Sequence, residues 1–384
     1  MKDASSLEGL PRRVVAMIAQ HGEMTRADIA TKLGISKGRV SVITTHLLDQ
    51  RIIEHHASIS GVRRPSALLR LSPSAATFIG ISLHCRPFIA VATDPNGNII
   101  FQNTFYSDSD PDSCIESICD AVAVLRKNCS ISARFLAVGL SLPGYISADK
   151  QTCITSTVLG WENAEIGHEI ARVVGLPVYL ENDTNALATY EAMFGSMRRV
   201  PAFAIVAVGD GIGTAYTMNH TVYRGENGGA GELAHLPIAP GLFDGVPRPC
   251  RCGNRGCLET IASSRGISSR AEEEGLPQDL GRLSNLAREG NEKALHILHT
   301  AAAALSFSMS NLIQILDPSH LIVILPEELL PGVFATALRQ TFEQNLMPGF
   351  KRANLLILQR HNNLHWAVGA ACVAARSVLL SPHP

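Results

Sequence analysis

Three cysteines fall close together in the stretch RPCRCGNRGCLE (248–259), at Cys250, Cys252 and Cys257. Cysteine is often buried, so one reading of the three is simple packing in a core. The residues between them favour another. Arg251, Gly253, Asn254, Arg255 and Gly256 suit a tight exposed turn, and such a turn can aim several thiolates at one centre. Three thiolates fall one ligand short of a tetrahedral zinc site; His235, in GELAHLPI, is the nearest upstream donor. A set of four protein ligands predicts structural Zn2+, because no position stays open for a substrate.

With 384 residues, 46% hydrophobic and 5% aromatic, the chain can build two or three domains with proper cores. Its nine cysteines are scattered apart from the cluster, and the start MKDASSLEGLPRR carries no signal peptide, which together predict a reducing cytoplasmic setting. Residues 294–316 contain no Asp, Glu, Lys or Arg and are long enough to span a bilayer. Their His, Ser, Asn and Gln residues predict instead a long helix packed inside a globular body, with no membrane partner.

The net charge of −1 conceals an asymmetry. Residues 1–70 hold 11 Lys and Arg against 6 Asp and Glu, a balance of +5, so the remainder carries −6. The basic segment contains MTRADIATKLGISKGRVSVITTHLLDQRIIE. Thr25 and Asp28 have capping-box spacing for a helix with Ile29 and Leu33 on one face, and Gly34 ends it. Ser36 can cap a second helix whose Val40, Ile43 and Leu47 recur at helical spacing. That leaves Lys37, Arg39, Ser41, Thr44 and Thr45 expected to face outward. A helical hairpin of this kind occurs in many helical domains, but the basic outer face predicts a helix-turn-helix, with the second helix in the DNA major groove and Ser36 at its start. SGVRRPSALLRLS then reads as a hairpin with Arg63 and Arg64 at its tip, a wing reaching phosphates or a narrow minor groove. LSPSAAT (71–77) reads as a linker.

From Phe78 the pattern alternates strands and helices. FIGISLHCRPFIAVATDPNGNIIFQNTF predicts three strands in a meander, followed by a helix near 112–128 and a buried strand in RFLAVGLSLPGYI. AFAIVAVGDGIGTAYTMNHTVYRG begins the same order again. Two α/β lobes of this repeated order predict an actin-like, ribonuclease H-like body of the sugar-kinase type with a cleft between its lobes. The expected domains are 1–72 (winged helix-turn-helix), 73–195 (first lobe, with a C-terminal helix returning to it) and 196–384 (second lobe with the zinc site).

LPVYLENDTNALATYEAMFG, VAVGDGIGTAY, YRGENGGAGELAH and CRCGNRGCLE, in that order behind a winged helix-turn-helix, resemble the ROK family of sugar-responsive repressors and sugar kinases over about residues 10–375. The resemblance implies that His235, Cys250, Cys252 and Cys257 are structural zinc ligands, in agreement with the reading from the residues. It also implies that Asn182, Asp183, Glu232, His235 and Glu259 hydrogen-bond sugar hydroxyls, with one His235 nitrogen on zinc and the other towards sugar. Asn182 and Asp183 equally suit a helix cap, and Glu259 a surface position.

Kinases of the family carry a D-x-G-G-T turn in the first lobe, where this chain has ISLHCRP: Ser82 replaces the acid, and His84, Cys85, Arg86 and Pro87 crowd the phosphate approach. The second loop reads GDGIG, with Asp210 expected to put negative charge where phosphate must sit, and VILPEEL has Leu325-Pro326 in place of a Gly-Gly pair. These departures imply a regulator and not an enzyme, with Asp183 a remnant of the kinase general base. The implied partners are operator DNA, a sugar or sugar-derivative effector and a second copy in a homodimer or homotetramer, with a docked transport-system protein as another input. An ATP-dependent sugar kinase with an attached DNA-binding head is the alternative, and a constitutive DNA-binding protein whose body only oligomerises is a third.

Overall fold

Capping side chains set the helices of the N-terminal head. The computed structural model describes residues 7–56, 68–108, 110–130, 133–238, 247–353 and 355–380. After α1 (Gly9–His21), α2 (Arg26–Leu33) opens on a capping box in which Thr25 and Asp28 exchange side-chain and backbone hydrogen bonds, and it closes on Gly34 in the left-handed region. Ser36 caps α3 (Lys37–Asp49) by accepting from the Arg39 amide at 3.3 Å. β1 (Ile53–His56) pairs antiparallel with β2 (Leu68–Leu71), forming the base of the expected wing. Arg63 and Arg64 lie outside the described residues.

The segment 71–77 is packed: Ser72, Ala75, Ala76 and Thr77 are all buried, and Asn96 Nδ2 donates to the Leu71 carbonyl at 2.9 Å. Next come β3 (Thr77–Ser82), β4 (Phe88–Thr93), β5 (Ile99–Phe105), α4 (Pro111–Asn128), β6 (Phe135–Leu142), the short β7 (Tyr145–Ile146), β8 (Cys153–Ser156) and β9 (Trp161–Ala164), α5 (Ile166–Val174), β10 (Val178–Asn182) and α6 (Asp183–Met193). The main sheet runs β10-β6-β3-β4-β5, with antiparallel pairs on the meander side and parallel pairs beyond β3. Strand alternation divides its faces. Ile79, Ile81, Val138 and Leu140 pack with α4 and α5, while Phe78 and Ala137 join an apolar cluster that also holds Val14, Ile18 and Leu69 of the head.

The second segment repeats this order: β11 (Phe203–Val208), β12 (Ile212–Met218), β13 (Thr221–Val222), the helices α7 (Glu259–Ala262), α8 (Ser264–Glu273), α9 (Leu280–Arg288) and α10 (Glu292–Leu316), then β14 (His320–Leu325), α11 (Val333–Asn345) and β15 (Leu356–Arg360). Its sheet runs β13-β12-β11-β14-β15, again antiparallel and then parallel. The uncharged stretch forms α10, whose buried Ser306 donates to the Leu338 carbonyl of α11 at 2.8 Å. Among the described residues no helix is long and apolar enough to cross a membrane.

The last helix, α12 (Asn363–Leu379), belongs to the first unit: the chain divides into Met1–Arg199 with Asn363–Pro384, and Val200–Asn362. Two glycines admit it. A Cβ at Gly80 of β3 would overlap the Ala367 carbonyl, and one at Gly139 of β6 the Ala370 carbonyl. Without side chains at these positions the helix backbone can lie directly on the sheet.

Candidate metal centre and ligand-binding residues

Both parts of the metal cluster lie in the second unit. His235 ends a single 3-10 turn, Leu233–His235, anchored by buried Leu233 and Ala234. The cysteine turn is held by backbone bonds from the Cys250 amide to the Asn254 carbonyl (2.8 Å) and from the Gly253 amide to the Cys250 carbonyl (3.1 Å). A bridge between Pro237 and Cys257 brings the two together.

The ligand atoms of His235, Cys250, Cys252 and Cys257 all lie within 4.8 Å of one another. His235 Nδ1 is 3.6 Å from Cys250 Sγ, and Cys252 Sγ is 3.7 Å from Cys257 Sγ. A tetrahedron with ordinary zinc–sulfur and zinc–nitrogen bonds has edges of about 3.6 Å (N to S) and about 3.8 Å (S to S). The donor set therefore fits a metal ion in both chemistry and spacing. Burial and the neighbouring Cys252 and Cys250 push the Cys257 thiol up to about 12, so these three sulfurs ionise together only against a cation.

The second ring nitrogen of His235, Nε2, lies 3.7 Å from Glu232 Oε2. A carboxylate behind a ligating histidine fixes its tautomer and ring orientation. Desolvation raises the Glu232 carboxyl above its usual range, against the downward pull of His235.

Glu259 is buried (8% exposed) and is bound by a residue the sequence reading passed over. Arg251, between two of the cysteines, places Nη2 3.2 Å from Glu259 Oε1 and Nη1 2.6 Å from Asp210 Oδ2. Asp210, expected to put negative charge in the GDGIG turn, is half of an ion pair there. A Cβ at Gly211 would sit 2.7 Å from Glu259 Oε2, so the Glu259 carboxylate lies against this turn.

In the first unit Asn182 caps α6: its Oδ1 accepts from the Thr184 and Asn185 amides (3.0 and 3.2 Å), and its Nδ2 donates to the Gly144 carbonyl at 3.1 Å. Asp183 Oδ1 accepts from the Thr184 amide at 2.7 Å. Where phosphate-binding glycines were expected to be replaced, Ser82 Oγ is 3.2 Å from His84 Nδ1, and the His84 ring stacks on Trp366 of α12 at 4.7 Å between centroids.

Of the DNA-facing candidates described, Ser36, Lys37, Arg39, Ser41 and Thr45 are exposed. Thr44 is a correction: it is fully buried, accepting from Arg26 Nε at 2.8 Å and donating to the Val40 carbonyl at 2.9 Å. It falls on the same helical stripe as Val40 and Leu47, and its hydroxyl is satisfied inside the head.

A helix-turn-helix head followed by a repeated α/β body with a Cys3His cluster defines the class. The ROK family model matches residues 78–377, and the chain belongs to that family. It is 25% identical over 350 residues to the xylose repressor of Caldicellulosiruptor bescii, covering 86% of each protein. It is 26% identical over 263 residues to the glucokinase of Streptomyces coelicolor, covering 64% of this chain and 80% of that enzyme. The crystal structure of a ROK family transcriptional regulator, a homologue of the Escherichia coli MLC protein, has the same fold, with a TM-score of 0.78, 21% identity and 96% of each chain covered.

Proposed function

We propose that this protein is a sugar-responsive transcriptional repressor that binds operator DNA through its head and takes a sugar or sugar derivative as effector. One observation carries the reading: a capped helix-turn-helix with an exposed basic helix stands in front of a ROK body; the His84–Trp366 stack and the Asp210–Arg251 pair, at the positions where the resemblance puts phosphate loops, support it. The effector ligands in this reading are Asn182, Asp183, Glu232, His235 and Glu259. Structural Zn2+ is held by His235, Cys250, Cys252 and Cys257, which leaves it no open position for catalysis. The chain acts as a homodimer or homotetramer, matching two-fold related half-sites.

Within the first unit, α6 supports a coupling route. It starts at Asn182 and Asp183, and beyond its end Arg198 packs over Gly22 of the head, where a Cβ would overlap the guanidinium. Phe194 packs against Gly97, in the same turn whose Asn96 holds Leu71 at the end of β2. On this reading a shift at the start of α6 reaches the head through the helix and the turn that follows it, 194–199.

A thermal-shift screen of zinc-replete protein against sugars, amino sugars and their phosphates, with and without ATP, tests this reading. A concentration-dependent rise that is independent of ATP, together with altered DNA affinity, is the expected result. ATP-dependent phosphorylation of a sugar would replace it with the kinase reading that Asp183 and the glucokinase similarity favour. If no sugar shifts the protein, a transport-system protein becomes the input to test.

A further inference from the structure

The outer face of α3 carries an apolar side chain that the fold does not use. Val42 is 73% exposed, and among the described residues it is the head's only large hydrophobe left open to solvent. The buried stripe of the helix is Val40, Thr44 and Leu47, so Val42 projects from the opposite side. Its helix-surface neighbours one turn away are Gly38, Arg39, Thr45 and His46, all exposed.

Gly38 is the second oddity on that face. It sits in the first turn of α3 without a left-handed φ, and no atom lies within 4 Å of where its Cβ would be. Glycine weakens a helix, and among the described residues nothing requires it here. Close approach of an external surface accounts for both features: the glycine lets that surface come near, and the valine meets something apolar on it. The surrounding charge selects its nature, since Lys37 and Arg39 are exposed beside these residues and the first 70 residues carry a balance of +5. A polyanion with an apolar feature in a helix-sized groove is double-stranded DNA at an A·T pair, whose thymine methyl stands in the major groove.

We propose that Val42 is a specificity-determining residue that reads a thymine C5-methyl in each half-site, with Gly38 permitting the approach. This inference rests on the DNA-binding reading above and goes beyond it by assigning one base to one side chain. Burying one methyl against the valine is worth about fourfold in affinity per half-site.

The test uses the full-length protein and duplexes recovered by selection from a random pool. Each thymine of the recovered half-site is replaced in turn by deoxyuridine, which removes only the methyl group, and affinity is measured for wild type and Val42→Ala. One thymine position should cost wild type about fourfold on replacement, and Val42→Ala should be insensitive there while retaining its sensitivity to salt. If duplexes are recovered but no deoxyuridine substitution weakens wild-type binding, or Val42→Ala loses the same factor, the assignment is overturned while DNA binding stands. Failure to recover any duplex refutes DNA binding itself, and this inference with it. Dissociation of the oligomer on Val42→Ala, measured by sedimentation, would assign the face to a second copy and likewise overturn the proposal.

Discussion

Removing the metal should loosen the second unit by an amount the geometry sets. From Pro247 to Cys257 only Gly256 and Cys257 are buried, so the turn has little apolar surface of its own to hold it. Its cross-link through the ion joins His235 to Cys250, 15 residues apart. On a chain-entropy basis, closing a loop of about 15 residues contributes about 3 kcal/mol. For a unit of the length of Val200–Asn362, each kcal/mol moves the midpoint by roughly 2–4 °C, so chelation should lower it by roughly 10 °C. Cys257→Ser should act in the same direction and reduce bound zinc from about one ion per chain to a small fraction. Scanning calorimetry with and without chelator, paired with elemental analysis of purified protein, measures both quantities. Protein expressed with ample zinc that contains none, or that loses its zinc without any shift in midpoint, would refute the structural-zinc argument.

Other perturbations separate the roles assigned to single residues. Gly38→Ala should raise the melting midpoint of the head slightly, because nothing obstructs the new methyl, while weakening DNA binding; stronger binding would show that no surface approaches there. Thr44→Val removes the acceptor for Arg26 and should cost about 1 kcal/mol in denaturant unfolding while preserving sequence preference in DNA selection, since its hydroxyl is inside. Asp183→Asn should weaken the sugar effector about ten- to a hundredfold by titration calorimetry, the usual worth of a hydrogen bond to a charged group; unchanged affinity would remove Asp183 from the ligand set. Arg251→Met leaves Glu259 buried without its cation and should destabilise the second unit by about 3 kcal/mol, read from urea unfolding.

What could be read from the sequence is what local chemistry decides. Thr25, Asp28, Gly34 and Ser36 act over three or four residues, and the helices they delimit stand where their spacing places them. The cysteine turn was legible for the same reason, and its histidine partner lay close enough upstream to be named. Thr44 was misplaced because polarity was used to sort the faces of α3 when angular position decides them. Thr44 shares the stripe of Val40 and Leu47, whereas Val42 lies about half a turn away. Arg251 escaped notice because its partner Asp210 is 41 residues distant, although an acid in a glycine-rich turn is itself a signal for a nearby cation. Glycines within buried strands, Gly80 and Gly139, were a readable sign of close backbone approach, but not of which helix would approach.

The pattern of what stayed and what changed in the body bears on mechanism. Sugar hydroxyls are recognised by side-chain carboxylates and amides, and these are present at Asn182, Asp183, Glu232 and Glu259. Phosphates in such folds are recognised by backbone N–H groups reached through glycines. In this chain His84, just after β3, stacks on Trp366, and the GDGIG turn carries the Asp210–Arg251 pair. On the proposed reading, loss of the second recognition mode with the first retained would remove chemistry without removing binding. Binding alone regulates nothing, because a ligand with equal affinity for two states shifts neither. Moving a head from 99% to 1% in its DNA-competent state requires about 5.5 kcal/mol of difference between the sugar affinities of those states. On the proposed reading the route from α6 to Arg198 and Gly22 is where such a difference acts, so Arg198→Ala, which removes that guanidinium without touching the left-handed Gly22, should uncouple sugar binding from DNA release while leaving sugar affinity in place. If DNA release by sugar stays intact in this variant, the α6 route is not the one in use.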